Sequence, residues 1–262
     1  MIRELKMMFK LLRASAKSQM MYRADFVIGL LGTLAYNAVF LATVGIIAQK
    51  FGSFGGYSGW EIMLLYALFE LAHGFYGFFL YNMSSYLTKV VADGKLDIFF
   101  LRPYSILIQL NTRQMNYVYF VDVFIGTVCL IFAAEQIEVT WNLRWLLLPV
   151  FVVSGAFIEF ALGLIFNCIL VISPYTDALY GAYFQFVLIA QRYPLSIFAK
   201  GFQTLLTFVF PLGFINYYPM LFLLEHEKGW IGCLAPLVAI VTTWIAIKVF
   251  HVLLRFYSST GN

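Results

Sequence analysis

The sequence is poor in charged residues, proline and cysteine. Its 262 residues include 13 acidic and 17 basic side chains, 7 prolines and 3 cysteines. So few charged side chains cannot cover the surface of a soluble globule of this length. The low proline content and the 28 phenylalanines exclude a collagen-like or disordered chain. Three cysteines are too few for a disulfide scaffold.

The motifs of soluble enzymes are also missing from the sequence. It contains no Gly-x-x-x-x-Gly-Lys-Ser/Thr phosphate loop, no His-Glu-x-x-His metal motif and no Gly-x-Ser-x-Gly nucleophile elbow. We therefore expect a protein that is not an enzyme, holds no cofactor or metal and binds no nucleic acid. If the chain takes part in ATP-driven work, a separate subunit must hydrolyse the ATP.

Long apolar runs dominate what is present, since 62% of the residues are hydrophobic. A helix that crosses the membrane needs about 20 apolar residues. Five runs meet this length and carry few charges: 26–49, 62–81, 115–134, 146–172 and 231–254. The predicted fold class is therefore an all-α integral membrane protein with six transmembrane helices in a single domain, 1–262.

The sixth crossing lies between 175 and 224, and the sequence leaves two arrangements open. In one, the stretch 177–198 spans the membrane, bent at Pro194, and 202–224 is a re-entrant or broken helix. In the other, the first stretch lies flat and the second spans, although it contains Pro211, Asn216 and Pro219. Irregular backbone at membrane depth requires protein or water around it in either case.

The distribution of basic residues predicts the orientation. Residues 1–25 contain six bases and the loop 82–114 contains four. The bases on the opposite side, Lys50, Arg144 and Lys228, are interspersed with glutamates. Because lysine and arginine are enriched in cytoplasmic loops, both termini and the 82–114 loop are predicted to be cytoplasmic. The expected location is the cell (inner or plasma) membrane.

Residues 1–25 have the pattern of an interfacial helix. Bases recur at 3, 6, 10, 13 and 17, beside an apolar stripe. Such a helix lies at the bilayer surface with its bases toward lipid phosphates. The apolar run that follows, 26–49, is too long for a signal peptide, and no small-residue cleavage pattern comes after it.

The loop 82–114 contains two short helical stretches. The first, 84–91, ends at Asp93-Gly94, and the second, 96–101, ends at Arg102-Pro103. The phenylalanine-rich face of the second stretch requires a partner. That partner is either another protein or the bundle to which the loop belongs.

Four ionisable residues lie well inside the predicted spans, away from their ends: Glu70, His73, Asp122 and Glu159. Such groups are costly in the membrane and should face the bundle interior or water. Glu70 and His73 are three residues apart and share a helix face. They are interpreted either as a translocation path that favours a cationic or amphipathic solute, or as interhelical hydrogen bonds.

Five motifs resemble the permease subunits of type-two ABC exporters. They are Tyr22-Arg23-Ala24-Asp25-Phe26, Gly59-Trp60, the Gly-Lys-Leu-Asp…Leu-Arg-Pro stretch at 94–103, Arg192-Tyr193-Pro194-Leu195-Ser196, and Pro211…Asn216-Tyr217-Tyr218-Pro219. In order and spacing they cover nearly the whole chain. The similarity is greatest to the uncharacterised drug- or viologen-export branch.

The resemblance implies a six-helix half-transporter that pairs with a second permease, as a homodimer or heterodimer, and with a separate ATP-binding subunit. It also implies that the 82–103 loop contains the coupling helix and favours a re-entrant 202–224. The contact positions with the ATPase would be Gly94, Leu96, Asp97, Leu101, Arg102 and Pro103. The competing hypothesis is a self-powered, proton-coupled secondary transporter that uses the intramembrane acids.

Overall fold

The computed structural model describes residues 23–51, 53–111, 117–139, 142–172 and 177–256. The described residues are almost entirely helical, which confirms the all-α class. They form eleven α-helices: α1 Arg23–Phe51, α2 Gly59–Phe79, α3 Tyr81–Ala92, α4 Asp97–Phe100, α5 Ile106–Asn111, α6 Tyr119–Gln136, α7 Leu148–Ile172, α8 Asp177–Arg192, α9 Lys200–Thr204, α10 Tyr217–Leu223 and α11 Ala235–Phe256. Most of the predicted interfacial helix, 1–22, lies outside the described residues.

Within the described residues, five helical stretches are long and apolar enough to cross a membrane: 27–46, 59–79, 119–136, 143–172 and 229–256. They coincide with the five apolar runs of the sequence. Helix α2 lies at the centre of the bundle and packs against α1, α6, α7 and α8. Its segment 64–69 is completely buried, so the core of the protein is built around this helix.

Two glycines allow α2 and α6 to approach each other closely. A Cβ atom added at Gly126 of α6 would lie 3.0 Å from the Glu70 Cβ and 3.0 Å from the Leu71 backbone nitrogen. A Cβ atom added at Gly74 of α2 would lie 2.9 Å from the Val123 nitrogen. Small residues at such contacts are typical of helix packing in membranes, where close backbone approach replaces the hydrophobic driving force.

A short hairpin marks one end of the bundle, which we call the hairpin end. Strands β1 (Ser53–Phe54) and β2 (Tyr57–Ser58) pair antiparallel, with Phe54 opposite Tyr57. Gly55 and Gly56 have φ values of 65° and 89°, which glycine adopts without strain in a two-residue turn. Ser58 and Glu61 then form a capping box that begins α2.

The opposite end, which we call the loop end, carries α3, α4 and α5. Helix α3 ends at Ala92, just before Asp93 and Gly94, whose φ is 64°, and α4 follows at Asp97, as the spacing predicts. A second core cluster fastens these short helices to α7 and α11. Its buried members include Leu87, Val90, Leu96 and Phe99 from the loop and Phe160, Leu164 and Phe250 from the long helices.

Helix α8 runs from the loop end of the bundle toward the hairpin end. In its first half, the Tyr183 ring stacks on Phe166 of α7 with centroids 4.4 Å apart. Just beyond its end, the Ser196 hydroxyl donates to the Gly55 carbonyl at 3.3 Å. With 16 residues the helix is shorter than a full span, and the chain continues through Pro194 to a 3₁₀ turn at Leu195–Ile197.

The segment 200–223 is bent by 74° between its halves, 200–209 and 212–223. A turn of π-helix at Leu205–Val209 precedes the bend, and a 3₁₀ turn at Leu212–Phe214 follows it. At the bend, the Phe210 ring packs on Phe186 and Phe166 inside the bundle, with centroids 5.4 Å and 5.8 Å away. The segment therefore reaches the level of Phe166, well below the hairpin.

Both ends of this segment lie at the hairpin end. At its start, the Gln203 amide donates to the carbonyl of Phe198 at 2.7 Å, two residues after Ser196, which contacts Gly55 of the hairpin. After it, Asn142 donates to Glu225 at 2.5 Å, and the His226 imidazole lies 3.8 Å from Glu61. These contacts have the geometry of a segment that enters and leaves at one end.

Candidate functional site

The four ionisable residues of the spans meet in one place. A cavity of about 320 Å³ lies between α1, α2, α6 and α8, and Glu70, His73 and Asp122 line it. Glu159 reaches the same cluster from α7 through its contact with His73. The sequence places these residues on three different helices, and the packing of α2 against α6 and α7 brings them together.

His73 and Glu159 form a close pair across α2 and α7. The His73 Nδ1 lies 2.6 Å from the Glu159 Oε1. Glu159 is only 3% exposed, and its second oxygen, Oε2, is buried without a hydrogen-bond partner among the described residues. A buried carboxylate is stabilised by such a pair and is strongly destabilised when its partner is removed.

Glu70 is held from the opposite side of the cavity. The side-chain amide of Gln191 on α8 donates to a Glu70 carboxylate oxygen, and Glu70 is 1% exposed. The hydroxyl of Tyr36 on α1 in turn donates to the Gln191 Oε1 at 3.5 Å. This chain of polar contacts joins α1, α8 and α2 around the cavity.

Asn37 is a second polar contact between α1 and α2. Its side-chain oxygen accepts a hydrogen bond from the Tyr66 hydroxyl, and its amide donates to the Thr33 carbonyl at 2.9 Å. Asn37 and Asp122 are both buried, and both line the cavity. Sequence reasoning missed Asn37 and Gln191. Asn37 was a usable signal, because it is a polar residue inside the uncharged apolar run 26–49.

Aromatic rings surround His73. Phe69 stacks on its imidazole with centroids 5.6 Å apart, Tyr119 approaches edge-on at 5.5 Å, and Tyr76 lies at 6.1 Å. The cavity thus combines carboxylates with aromatic faces. This combination attracts organic cations, since both the charge and the ring quadrupole favour a positive group.

Arg192 sits at the end of α8 against α1. Its guanidinium lies 5.1 Å from the Tyr36 ring centroid and 5.4 Å from that of Phe40, and its Nη2 donates to the Tyr36 hydroxyl at 2.6 Å. These contacts compensate the positive charge of Arg192 between α8 and α1. A guanidinium is accommodated at depth when aromatic faces and a hydroxyl replace water.

At the loop end, the six positions implied by the resemblance lie in and around α4 and differ in their exposure. Leu96 is 1% exposed and packs into the second core cluster, so this side chain supports α4 from beneath. Leu101, by contrast, is 85% exposed, and Arg102 and Pro103 beside it are also exposed. Asp97 stands in the first turn of α4, and Gly94 makes the turn before it. Ile98 and Phe100, which are not among the six positions implied by the resemblance, expose large apolar surface next to Leu101.

Buried hydrogen bonds connect the loop end to the helices of the cavity. The Thr88 hydroxyl of α3 donates to the Asn167 Oδ1 of α7 at 2.7 Å, and the Asn167 amide donates to the Gly163 carbonyl at 2.8 Å. The Tyr76 hydroxyl of α2 lies 2.9 Å from the Ser84 hydroxyl of α3. Helix α3 is therefore bonded to both helices that carry the His73–Glu159 pair.

No group of three or more histidine, cysteine, aspartate or glutamate side chains in the described part of the chain could hold a metal ion. The chain matches one family model, described as "ABC-2 family transporter protein", across residues 34–261. The match includes the cavity residues of α2, α6, α7 and α8 and all of the loop end. No curated protein and no solved structure matches the chain.

Proposed function

The chain belongs to the ABC-2 transporter family, and we propose that it is the permease subunit of an ATP-binding-cassette exporter. Membrane subunits of this family are not themselves the ATPase and typically work with a separate ATPase subunit. The observation that carries the proposal is the cavity between α1, α2, α6 and α8, where buried acids of three spans converge. Assignment to the drug- or viologen-export branch stays a prediction.

The chemistry of the cavity supports a hydrophobic, amphipathic or cationic solute. Three carboxylic acids, Glu70, Asp122 and Glu159, meet a single imidazole there. An excess of acids stabilises a positive group, and an ionised group at this depth costs several kcal/mol, about 3 or more, unless it is compensated. The rings of Phe69 and Tyr119 favour a flat or apolar body on the same solute.

A second permease subunit, identical or different, is proposed to complete the path. Helix α1 forms one wall of the cavity, yet only 17% of its apolar span is buried. If α1 faced lipid directly, the acids of the cavity would lie close to the acyl chains, at a large cost in free energy. Burial of α1 against a second subunit would separate these acids from lipid.

The loop end is proposed to dock on the ATPase. The short helix α4 presents Leu101 with Ile98, while Leu96 and Phe99 anchor it from beneath. An exposed apolar tip on a firmly packed base is the arrangement that suits insertion into a partner's groove. Gly94, Asp97, Arg102 and Pro103 border this tip and are proposed to fix its orientation.

Motion of α4 is proposed to reach the cavity through α3. The bonds Thr88–Asn167 and Tyr76–Ser84 join α3 to α7 and α2. These two helices carry Glu159 and His73. A displacement of the loop end would therefore alter the spacing of the pair in the cavity.

The proposed topology has six crossings, with 177–198 as the fifth and 202–224 as a re-entrant segment. Contacts of Ser196, Glu225 and His226 at the hairpin end support this arrangement. The proposal places the loop end and both termini in the cytoplasm, as the basic residues of 1–25 and 82–114 favour. The proposed location is the cell (inner or plasma) membrane, with residues 1–25 on its surface.

A proton-coupled secondary transporter is the second candidate. It is favoured by the His73–Glu159 pair, because the buried Glu159 Oε2 has no hydrogen-bond partner among the described residues and is positioned to take up a proton. In that mechanism a protonophore would abolish transport, and depletion of ATP would leave it unchanged.

Co-purification and transport distinguish the two candidates. The tagged full-length chain should retain an ATP-binding subunit on purification from its native membrane. In proteoliposomes the complex should move tetraphenylphosphonium, used as a probe cation, only when ATP is supplied. Reproducible purification without an ATPase, together with protonophore-sensitive transport, would overturn the exporter proposal and establish the second candidate.

A further inference from the structure

Arg192 stands between the acidic cavity and the hairpin end of the bundle. The residue before it, Gln191, lines the cavity. The ring of the residue after it, Tyr193, has its centroid 6.2 Å from that of Phe54 in the hairpin. Helix α1, on which the Arg192 side chain packs, also ends beside the hairpin. A solute that leaves the cavity toward the hairpin end along α1 and α8 therefore passes this side chain.

Two rings of α1 form an aromatic site that the Arg192 guanidinium fills. Its central carbon lies 5.1 Å from the ring centroid of Tyr36 and 5.4 Å from that of Phe40. Phe40 is buried and packs on the ring of Tyr66 in α2 with centroids 4.2 Å apart, which holds it in place. Tyr36 lines the acidic cavity. The aromatic site is therefore continuous with the cavity, and such rings bind organic cations as well as guanidinium groups.

The Arg192 guanidinium makes few polar contacts in this position. Among the described residues, no carboxylate forms an ion pair with it. Its Nη2 donates to the Tyr36 hydroxyl at 2.6 Å, whereas its Nε is buried and has no hydrogen-bond partner in the described part of the chain. A buried donor without a partner costs free energy. A competing cation at the rings therefore displaces a group that is held mainly by the two rings and one hydroxyl.

A chain of hydrogen bonds connects Arg192 to Glu70 in the cavity. The Tyr36 hydroxyl accepts from Arg192 and donates its own hydrogen to the Gln191 Oε1. The amide nitrogen of Gln191 donates to the Glu70 carboxylate. Because each group orients the next, departure of Arg192 would release the Tyr36 hydroxyl and loosen the hold of Gln191 on Glu70.

We propose that Arg192 is a tethered cation, which a transported organic cation displaces from the aromatic site on its way from the cavity to the hairpin end. This inference rests on the proposed export of cationic solutes. Repulsion between the two positive charges prevents both from occupying the rings of Tyr36 and Phe40 together. After the solute has left, Arg192 returns to the rings and opposes the re-entry of a cation from the hairpin end.

Equilibrium binding of benzyltrimethylammonium to the purified full-length protein in detergent tests the displacement. This quaternary ammonium offers a charge and a ring but donates no hydrogen bond. Arg192→Gln should tighten binding about ten-fold, since the competing charge no longer covers the rings. Arg192→Lys keeps the positive charge and should bind nearly as weakly as the wild type. The matched control is Arg144→Gln, which removes an arginine that lies on the Phe222 ring at the hairpin end and should leave binding unchanged.

A second substitution separates the aromatic site from a simple change in charge. In the Arg192→Gln background, Phe40→Leu should cancel most of the gain, because the site then lacks one ring. Phe40→Leu alone should not weaken binding, because Arg192 covers that ring in the wild type.

Three outcomes would overturn the inference. Equal affinity of the wild type and Arg192→Gln would do so and leave the proposed function standing. A gain in Arg192→Gln that survives Phe40→Leu would show an effect of charge alone, without displacement from the rings. Absence of binding to the wild type and to every variant would overturn the proposed cationic solute and this inference with it.

Discussion

The imidazole of His73 on α2 lies 2.6 Å from the carboxylate of Glu159 on α7, in the middle of the bundle. This pair connects the two most deeply packed long helices beside an acidic cavity. The same two helices are hydrogen-bonded to α3 at the loop end, through Tyr76 and Asn167.

We expect Glu159→Gln to lower cation transport by about ten-fold or more, since hydrogen bonds to charged groups contribute about 1.5–3 kcal/mol. Glutamine keeps the size and the acceptor of the side chain, so the protein should still fold. ATP-driven tetraphenylphosphonium uptake into inside-out proteoliposomes is the measurement. Glu135→Gln, an exposed acid at the end of α6, is the control and should transport normally. Full activity of Glu159→Gln would remove the pair from the mechanism.

Leu101→Asp should weaken association with the ATPase by roughly thirty-fold, the effect of losing a contact of about 2 kcal/mol at the centre of an interface. Leu101 is so exposed that the substitution should leave the fold intact. Retention of the ATPase on the tagged permease is the measurement. Leu143→Asp, an equally exposed leucine at the hairpin end, should keep the ATPase. Identical retention by both variants would contradict docking at α4.

Asp97→Ala and Arg102→Ala should uncouple the ATPase from transport while membrane insertion stays normal. Both residues border the α4 tip, so their loss should change how the tip is oriented rather than whether the bundle folds. The ratio of tetraphenylphosphonium transported to ATP hydrolysed is the measurement. A normal ratio in both variants would remove these residues from the coupling surface.

Thr88→Val should reduce the stimulation of ATPase activity by tetraphenylphosphonium about five-fold, at the lower end of typical coupling between sites. Valine keeps the shape of threonine and removes the hydroxyl that Asn167 accepts from. Thr88→Ser should restore the coupling, because it retains the hydroxyl. Thr127→Val, which removes an exposed hydroxyl on α6, is the control. If Thr88→Val couples normally, motion reaches the cavity by another route.

Gly126→Ala should destabilise the protein by about 1–3 kcal/mol, the usual cost of overpacking a tight contact. The added methyl group would press on the Glu70 side chain and on the α2 backbone at Leu71. Gly45→Ala in α1 meets no atom within 4 Å and should be neutral or slightly stabilising. Thermal unfolding in detergent compares the two, and equal midpoints would contradict the close α2–α6 contact.

Much of the loop end was accessible from the sequence, because its signals are local. Gly94 and Pro103 bound a short helical stretch, and the chain forms α4 between them. The sequence could not tell which side of that helix faces the bundle. Leu96 and Leu101 have the same side chain, yet one is buried under α4 and the other is exposed. Packing of α4 against the second core cluster decides between them.

The cavity residues also fall into those that the sequence identified and those that only the packing revealed. A charge within an apolar run is visible in any sequence, and Glu70, His73, Asp122 and Glu159 stand out for this reason. Gln191 and Tyr36 were not identified, because a neutral polar residue in an apolar helix has many ordinary roles. Only the crossing of α8 beside α1 and α2 brings these two residues to Glu70.

The sequence by itself determined the membrane class, the five long spans and the position of the short helices at the loop end. These follow from composition and from run length, since a bilayer imposes a fixed thickness on any chain that crosses it. The tertiary structure alone decided that acids on α2 and α6 line one cavity, that Glu159 on α7 reaches it through His73, and that the segment 200–223 begins and ends at the hairpin end. Those relationships depend on which helices become neighbours, and that is set by side-chain packing between residues far apart in the chain.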